Sequence, residues 1–279
     1  MKKSVTACVL PIFLAAYLLA ACRTATASPA TATARAQRVI AQATDMALQW
    51  RETTLLDEKQ ATAAAQQRLD RLAQLSTWPV VLFDTFDDNA NEWIVGQQTG
   101  EYADINFTIA SGVYHWEATP HQGFIWWNHP AISPVTDFYI AAEYRQLSGP
   151  QGAYVGLIMS LNENDDFYLF SLRRTGDFAL EQYYNGQWLS LIAWTPSPVY
   201  HADETNRMDV FVEQGYFSLF VNGVWVADYD AGDIPSGLCG LAGGINDVGE
   251  SAAWEFDNFE VRAISTEEEI HTPEATARP

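Results

Sequence analysis

"FYLFSLRRTGDFALEQYYNGQWLSL", residues 167–191, decides the fold class of this chain. Apolar and polar residues alternate along it, and two turn signals interrupt the alternation. RTGD places a glycine where a turn needs one, and Asn185-Gly186 suits a type I′ turn, in which both central residues have positive φ. Period-two alternation between such turns is typical of consecutive antiparallel strands, so the stretch predicts a meander of three strands.

The same pattern extends from Val80 to Ala263, where Asn222-Gly223 repeats the hairpin signal. We expect strands at Asp104–Ala110, Val113–Ala118, Gly123–Trp127, Phe138–Arg145, Tyr154–Leu161, Phe167–Arg173, Phe178–Tyr184, Trp188–Ala193, Met208–Glu213, Phe217–Val221, Trp225–Tyr229 and Ala253–Val261. So many short strands in one domain predict an all-β fold, a sandwich of two antiparallel sheets.

Five segments carry a family resemblance: FDTFDDNANEWIV, GVYHWEA, DDFYLFSLRRTGDFALEQYYNGQWLSL, FSLFVNGVWVADY and WEFDNFEVR. In this order they resemble the concanavalin A-like lectin/glucanase superfamily, and most closely its laminin-G-like and 3-keto-disaccharide hydrolase-type jelly rolls. The resemblance covers Val80 to Ala263 and implies a two-sheet antiparallel jelly roll. The superfamily includes lectins, glycosidases, calcium-dependent adhesion modules and spacers, so the fold leaves the function open.

The closing motif EFDNFE has three carboxylates, Glu255, Asp257 and Glu260, in the spacing ExDxxE. This spacing resembles the nucleophile strand of laminarinase-like glycoside hydrolases, which makes the three acids the candidate catalytic residues of a glycan hydrolase. Here the motif lies on the final strand, and in the resembling jelly rolls that strand pairs with the first one, away from any cleft. The alternative interpretation is an exposed acidic face without catalysis.

The same strand predicts a bulge. Four of its apolar residues face the core together only if the alternation breaks near Asp257 and Asn258. These apolar residues are Trp254, Phe256, Phe259 and Val261.

Aromatic residues are the main feature that suggests binding, since the chain has 10 Trp and 12 Tyr. Alternation places the adjacent Trp126 and Trp127 on opposite faces of one strand. We also expect one outer sheet face to combine aromatic, carboxylate and guanidinium groups, which suit the ring faces and hydroxyls of a sugar. The residues of this expected face are Tyr139, Glu143, Arg145, Arg173, Glu181 and Tyr183. The alternative is that these large residues serve the core and cross-strand pairs.

A structural calcium ion is a further expectation, although no cofactor is required. Asp84, Asp87 and Asp88 in FDTFDD would approach Asp257 if the first and last strands pair, and we expect Asp87, Asp88 and Asp257 as ligands. Ca²⁺ prefers such oxygen ligands. The alternative is that these acids only form a turn.

The charge of the chain is strongly negative, at −20. Between Val80 and Ala263 there is no lysine, and the basic residues are Arg145, Arg173, Arg174, Arg207 and Arg262. Binding to phosphate backbones needs a basic surface, so nucleic acid is excluded as a partner.

The N-terminal segment resembles a bacterial lipoprotein signal. Lys2 and Lys3 precede an apolar run that ends in LLAA before Cys22, so we expect a signal peptide over 1–21 and lipidation of Cys22. An ordinary cleaved signal is the alternative. The expected location is the extracytoplasmic face of a cell membrane, with the protein anchored by acyl chains. Cys239 then has no partner for an internal disulfide, and we expect it to be a buried thiol.

The remaining segments complete the predicted organisation. Residues 22–34 are expected to be a flexible tether, 35–77 an α-helical stalk, 80–263 the sandwich and 264–279 a disordered acidic tail. We expect a lipid-anchored binding module for carbohydrate or another cell-surface polymer. The alternatives are a glycoside hydrolase, and a structural or protein-interaction module that binds an envelope protein through its stalk.

The lipid anchor predicts that Cys22→Ser moves the protein from the membrane fraction to the soluble fraction of a bacterial host, because the acylated thiol is lost. Fractionation and mass spectrometry of the N-terminal peptide measure this. A Cys8→Ser variant serves as the control, and an unacylated wild-type peptide would contradict the anchor.

Overall fold

The computed structural model describes residues 59, 62–63, 66, 69–71, 73–75, 77–246 and 249–264. The predicted signal peptide, tether and Cys22, most of the stalk and nearly all of the tail lie outside these residues. The described positions between 59 and 75 are helical. Within the described residues, no helix has the length and apolar content that a membrane crossing requires.

Among the described residues, fifteen strands follow this helical segment. They are β1 (Val80–Asp84), β2 (Gly96–Thr99), β3 (Ala103–Ala110), β4 (Val113–Pro120), β5 (Phe124–Asn128), β6 (Phe138–Ser148), β7 (Tyr154–Leu161), β8 (Phe167–Arg173), β9 (Asp177–Tyr184), β10 (Gln187–Pro196), β11 (Asn206–Glu213), β12 (Tyr216–Val221), β13 (Val224–Asp230), β14 (Leu238–Ile245) and β15 (Ala252–Ala263). Each predicted strand is present, with its ends shifted by a few residues at most.

The strands form two sheets. One has nine strands in the order β13-β12-β11-β6-β15-β4-β3-β2, with β1 paired to β15, and the other has six in the order β10-β9-β8-β7-β14-β5. The pairs within both sheets are antiparallel, and the main apolar core lies between the sheets. The predicted sandwich of two antiparallel sheets, with a jelly-roll-like strand order, is confirmed.

The two Asn-Gly hairpins have the backbone conformation that the sequence predicts. The φ angles are 49° and 75° at Asn185 and Gly186, and 52° and 73° at Asn222 and Gly223. Positive φ at both central residues defines the type I′ turn, whose twist matches that of the flanking strands. These turns set the registers of β9 with β10 and of β12 with β13.

The predicted bulge in β15 is confirmed. Its register with β6 shifts between Asp257 and Glu260, and Asn258 has a φ of 50°. The extra residue restores the alternation after the break, so that all four predicted apolar residues are buried: Trp254, Phe256, Phe259 and Val261. β15 also pairs with β1, as the position of the closing strand predicts.

Strands β1, β2 and β14 are not among the predicted strands. β14 escaped the prediction because its sequence LCGLAGGI is rich in glycine, which is depleted in strands. It nevertheless lies inside the six-stranded sheet, between β7 and β5. A Cβ on Gly240 would lie 2.3 Å from the backbone oxygen of Asn128, so the close approach of β5 requires glycine there. Cys239 on the same strand is a buried free thiol, as expected, and its burial raises its pKa.

The chain enters the sandwich across the outer face of the nine-stranded sheet. Leu75 and Trp78 pack on Phe211 of β11, and the two rings of Trp78 and Phe211 have centroids 5.1 Å apart. The guanidinium of Arg71 lies 4.3 Å from the ring centroid of Tyr216 on β12. These contacts fix the segment from Arg71 to Trp78 on this face.

The bulge predicts different effects for two substitutions of Asn258. Asn258→Gly should nearly retain the free energy of unfolding, whereas Asn258→Val should be about 1–2 kcal/mol less stable than the glycine variant, because a β-branched residue is strained at positive φ. Both variants lose the 3.2 Å hydrogen bond that Asn258 donates to Glu143. The difference in stability between the two variants therefore does not include that loss. Urea denaturation measures the difference, and equal stabilities would contradict it.

Candidate functional site: an aromatic groove

A groove of about 800 Å³ lies on the outer face of the six-stranded sheet. Its floor comes from β5, β7, β8, β9 and β10, and residues near β2 and the end of β14 form a wall. Most of its lining is aromatic. The lining residues are Ile94, Gly100, Tyr102, Gly123, Phe124, Ile125, Trp126, Trp127, Tyr154, Phe167, Glu181, Tyr183, Trp188, Trp194 and Asn246.

Two glycines of the six-stranded sheet leave room for large side chains in and beneath this groove. A Cβ on Gly244 would lie 2.2 Å from the ring of Tyr154, its partner across β14 and β7. A Cβ on Gly156 would lie 2.4 Å from a methyl carbon of Leu169 on β8. Because glycine has no side chain, Tyr154 and Leu169 extend across the neighbouring strands instead of standing away from the sheet.

One end of the groove is a continuous aromatic cluster. Phe167 lies at its centre, with ring centroids 5.1 Å from Trp127 and 5.6 Å from Tyr183. Trp188 lies 5.1 Å from Tyr183, and 44% of its surface is exposed. Tilted and stacked pairs of this kind hold each other in fixed orientations. The buried Phe167 therefore supports an exposed indole that a ligand can reach.

At the other end of the groove, Trp194 contacts two side chains. Its ring centroid is 6.0 Å from that of Tyr154, and the guanidinium of Arg173 lies 3.5 Å from its ring centroid. The second contact is a cation–π interaction, which stabilises the arginine at the electron-rich face of the indole.

Glu181 is the single acidic or basic side chain among the described residues that line the groove. It lies on β9, opposite Leu169 of β8 and Ser190 of β10. Burial raises the pKa of Glu181, and the positive charge of Arg173 lowers it by less. The groove thus combines several aromatic faces with one half-buried carboxylate.

The expected single binding face is wrong in its composition. Tyr139, Glu143 and Arg145 lie on β6 in the nine-stranded sheet, whereas Arg173, Glu181 and Tyr183 lie on β8 and β9 in the six-stranded sheet. The two sets therefore occupy opposite outer faces of the sandwich. Alternation along a strand shows which residues point outward, but it does not show which sheet the strand joins.

The two adjacent tryptophans separate as predicted. Trp126 packs against the main core, and Trp127 packs in the outer aromatic cluster. Both contribute to the groove, because β5 is an edge strand and the groove reaches around its edge.

The residues Tyr154, Phe167, Trp188 and Trp194 also line the groove, although they were not predicted as site residues. The sequence pattern could have identified two of them, Phe167 and Trp188. Phe167 lies at even spacing from the predicted Arg173, and Trp188 faces Tyr183 across the Asn-Gly hairpin.

The three acids of the closing motif lie away from the groove, in the nine-stranded sheet. Arg145 donates a 2.8 Å hydrogen bond to Glu255, and Arg262 donates one of 2.6 Å to Glu260. Asp257 is half-buried, and its pKa is raised by burial and by neighbouring carboxylates, among them Glu143. Glu255 and Glu260 are paired with arginines, and none of the three acids lines the aromatic groove.

The acids of the predicted calcium site make local contacts instead. Asp84 is buried and accepts 2.7 Å hydrogen bonds from the indole of Trp93, the amide of Asn91 and the backbone N–H of Phe86. Protein donors therefore already surround its oxygens.

Asp87 and Asp88 also make turn contacts. Asp87 accepts a hydrogen bond of 2.9 Å from Thr85, and Asp88 accepts one of 2.8 Å from the N–H of Ala90. The charges of Asp87 and Asp84 contribute to the raised pKa of Asp257. Among the described residues, however, no group of three or more acidic, His or Cys side chains is arranged to hold a metal ion. The described acids therefore do not form a group that fits a calcium ion. Calcium binding stays a prediction.

Comparisons with known proteins found similarity to solved structures. No family model and no curated protein matches the chain. The chain is similar to the laminarinase catalytic domain of Thermotoga maritima MSB8, with 11% identity, a TM-score of 0.49, and coverage of 67% of this chain and 99% of that chain.

Two further solved structures are similar at the same level. A Bacillus licheniformis beta-glucanase has 12% identity, a TM-score of 0.48, and coverage of 68% of this chain and 100% of that chain. A carbohydrate-binding module from Bacillus subtilis has 14% identity, a TM-score of 0.47, and coverage of 61% and 97%. At such identities and TM-scores, these likenesses carry no argument about the ligand of this chain.

Proposed function

We propose that this protein binds carbohydrate in the aromatic groove and does not cleave it. The observation that carries the proposal is the groove of about 800 Å³, lined by aromatic side chains of which Trp188 is 44% exposed. A sugar ring has apolar C–H faces that pack on an indole, and hydroxyl groups that hydrogen-bond to a carboxylate or amide. Trp188, Trp194 and Tyr183 supply the first kind of surface, and Glu181 and Asn246 the second.

The count of carboxylates favours binding over hydrolysis. Glycoside hydrolysis generally uses two carboxyl groups that flank the scissile bond, about 5 Å apart for retention and somewhat farther apart for inversion. Among the described lining residues, the groove has one carboxylate, Glu181. Glu255 and Glu260 are paired with arginines on the other sheet.

We also propose that the protein is anchored through Cys22 and works on the extracytoplasmic face of a membrane. Support comes from the lipoprotein-like sequence up to Cys22. The segment from Arg71 to Trp78 packs on the nine-stranded sheet, so the chain enters on the face opposite to the groove. The expected binding of an envelope protein by the stalk depends on residues 35–77, most of which lie outside the described residues.

Binding in the groove predicts that Trp188→Ala and Trp194→Ala each weaken binding about tenfold, which corresponds to about 1.4 kcal/mol, because each removes an aromatic face. The measurement is affinity electrophoresis of the full-length protein, purified in detergent, in gels that contain neutral β-glucan, xylan, mannan or fructan.

Trp225→Ala is the matched control, since its indole is 37% exposed on β13 of the other sheet. It should bind like the wild type. Equal loss in all three variants would overturn the proposal, and so would a wild type that is retarded by none of these polysaccharides and also binds no charged or N-acetylated oligosaccharide.

The absence of a carboxylate pair predicts that a polysaccharide retained in the gel is not degraded. Assays for new reducing ends should stay at background level for the wild type and for Glu181→Gln alike. Release of reducing ends that Glu181→Gln abolishes would place hydrolysis in the groove. Release of reducing ends that Glu255→Gln abolishes would instead indicate that the closing motif catalyses hydrolysis.

A further inference from the structure

The carboxylate of Glu181 has no charged partner in contact with it among the described residues. Its cross-strand neighbours are Leu169 and Ser190, and neither is basic. Arg173 is near enough to influence it electrostatically, but its guanidinium stacks on Trp194 at 3.5 Å. Glu181 therefore lies half-buried in an aromatic groove without an ion pair.

The surroundings of this carboxylate disfavour its charged form. Partial burial removes water from its charged form, and this effect outweighs the opposite effect of Arg173, since the pKa of Glu181 remains raised. A cation that enters the groove would restore the lost stabilisation by a charge-assisted hydrogen bond. An anion would meet repulsion instead, because no described lining residue is basic.

The aromatic faces around Glu181 also favour a positively charged ligand. Trp194 already contacts a cation, the guanidinium of Arg173. Tyr183 lies two residues from Glu181 on the same face of β9, and Trp188 packs on Tyr183 with centroids 5.1 Å apart. Aromatic rings beside a carboxylate attract ammonium groups through their negative faces.

We propose that the groove selects sugars that carry a positive charge, such as amino sugars with a free ammonium group, over neutral and anionic sugars. Glu181 pairs with the ammonium group, and Trp188 and Tyr183 contact the adjoining ring. This inference rests on the proposed function, because it specifies the ligand class of the same groove.

The test compares three oligosaccharides of equal length: one of glucosamine with free amines, one of N-acetylglucosamine and one of a uronic acid. Isothermal titration calorimetry of the full-length protein in detergent is performed at a pH at which the amines are protonated. The wild type should bind the glucosamine oligomer at least about tenfold more tightly than the acetylated one, and the uronic acid oligomer most weakly. Glu181→Gln should abolish the preference for the glucosamine oligomer over the acetylated one.

Non-specific attraction to an acidic protein is controlled by Glu117→Gln. The side chain of Glu117 is 60% exposed on β4 of the other sheet, so this variant loses the same charge away from the groove. It should keep the wild-type preference. A preference that persists in Glu181→Gln, or falls equally in Glu117→Gln, would overturn the charge selection.

The outcomes separate the two proposals. If the wild type binds the acetylated oligomer as tightly as the glucosamine oligomer, charge selection is wrong while carbohydrate binding stands. If the wild type binds none of the three oligomers and none of the neutral polysaccharides, both proposals fail.

Discussion

The burial of β15 is the constraint on which the rest of the sandwich depends. This strand lies inside the nine-stranded sheet, where it pairs with β6 on one side and with β4 and β1 on the other. Its apolar residues reach the core on both sides of a break in alternation because Asn258 takes up one extra residue at a φ of 50°. Without this bulge, Phe259 and Val261 would point to the outer face, and the sheet would lose part of its apolar side.

The same bulge assigns the acids of the closing motif to the outer face of the nine-stranded sheet. There they form a polar network with arginines, in which Arg145 pairs with Glu255 and Arg262 pairs with Glu260. The chain segment before β1 also packs on this face. The six-stranded sheet is different, since the described residues that line the groove on its outer face are mostly aromatic and include one carboxylate. Two chemically distinct surfaces therefore lie back to back on one core.

Local patterns predicted most of the strands because each depends on neighbours in the chain. Alternation and Asn-Gly turns depend on a few residues, and the break at Asp257 and Asn258 follows from counting apolar positions. β14 escaped prediction because its glycines contradict strand propensity. Those glycines are explained by distant residues: Gly240 by the backbone of Asn128 and Gly244 by the ring of Tyr154.

The sequence by itself determined most of the strand pattern, the hairpin turns, the bulge, the position of Trp126 and Trp127 on opposite faces, the outward position of Glu181, and the lack of a basic surface. The tertiary structure alone decided which outward residues share a face. It separated Tyr139 from Tyr183 by placing β6 and β9 in different sheets, and it joined Trp188 and Trp194 to Glu181 in one groove. The physical reason is that alternation is a property of single strands, whereas a binding surface arises from the order in which strands pair, and that order depends on burial between the sheets.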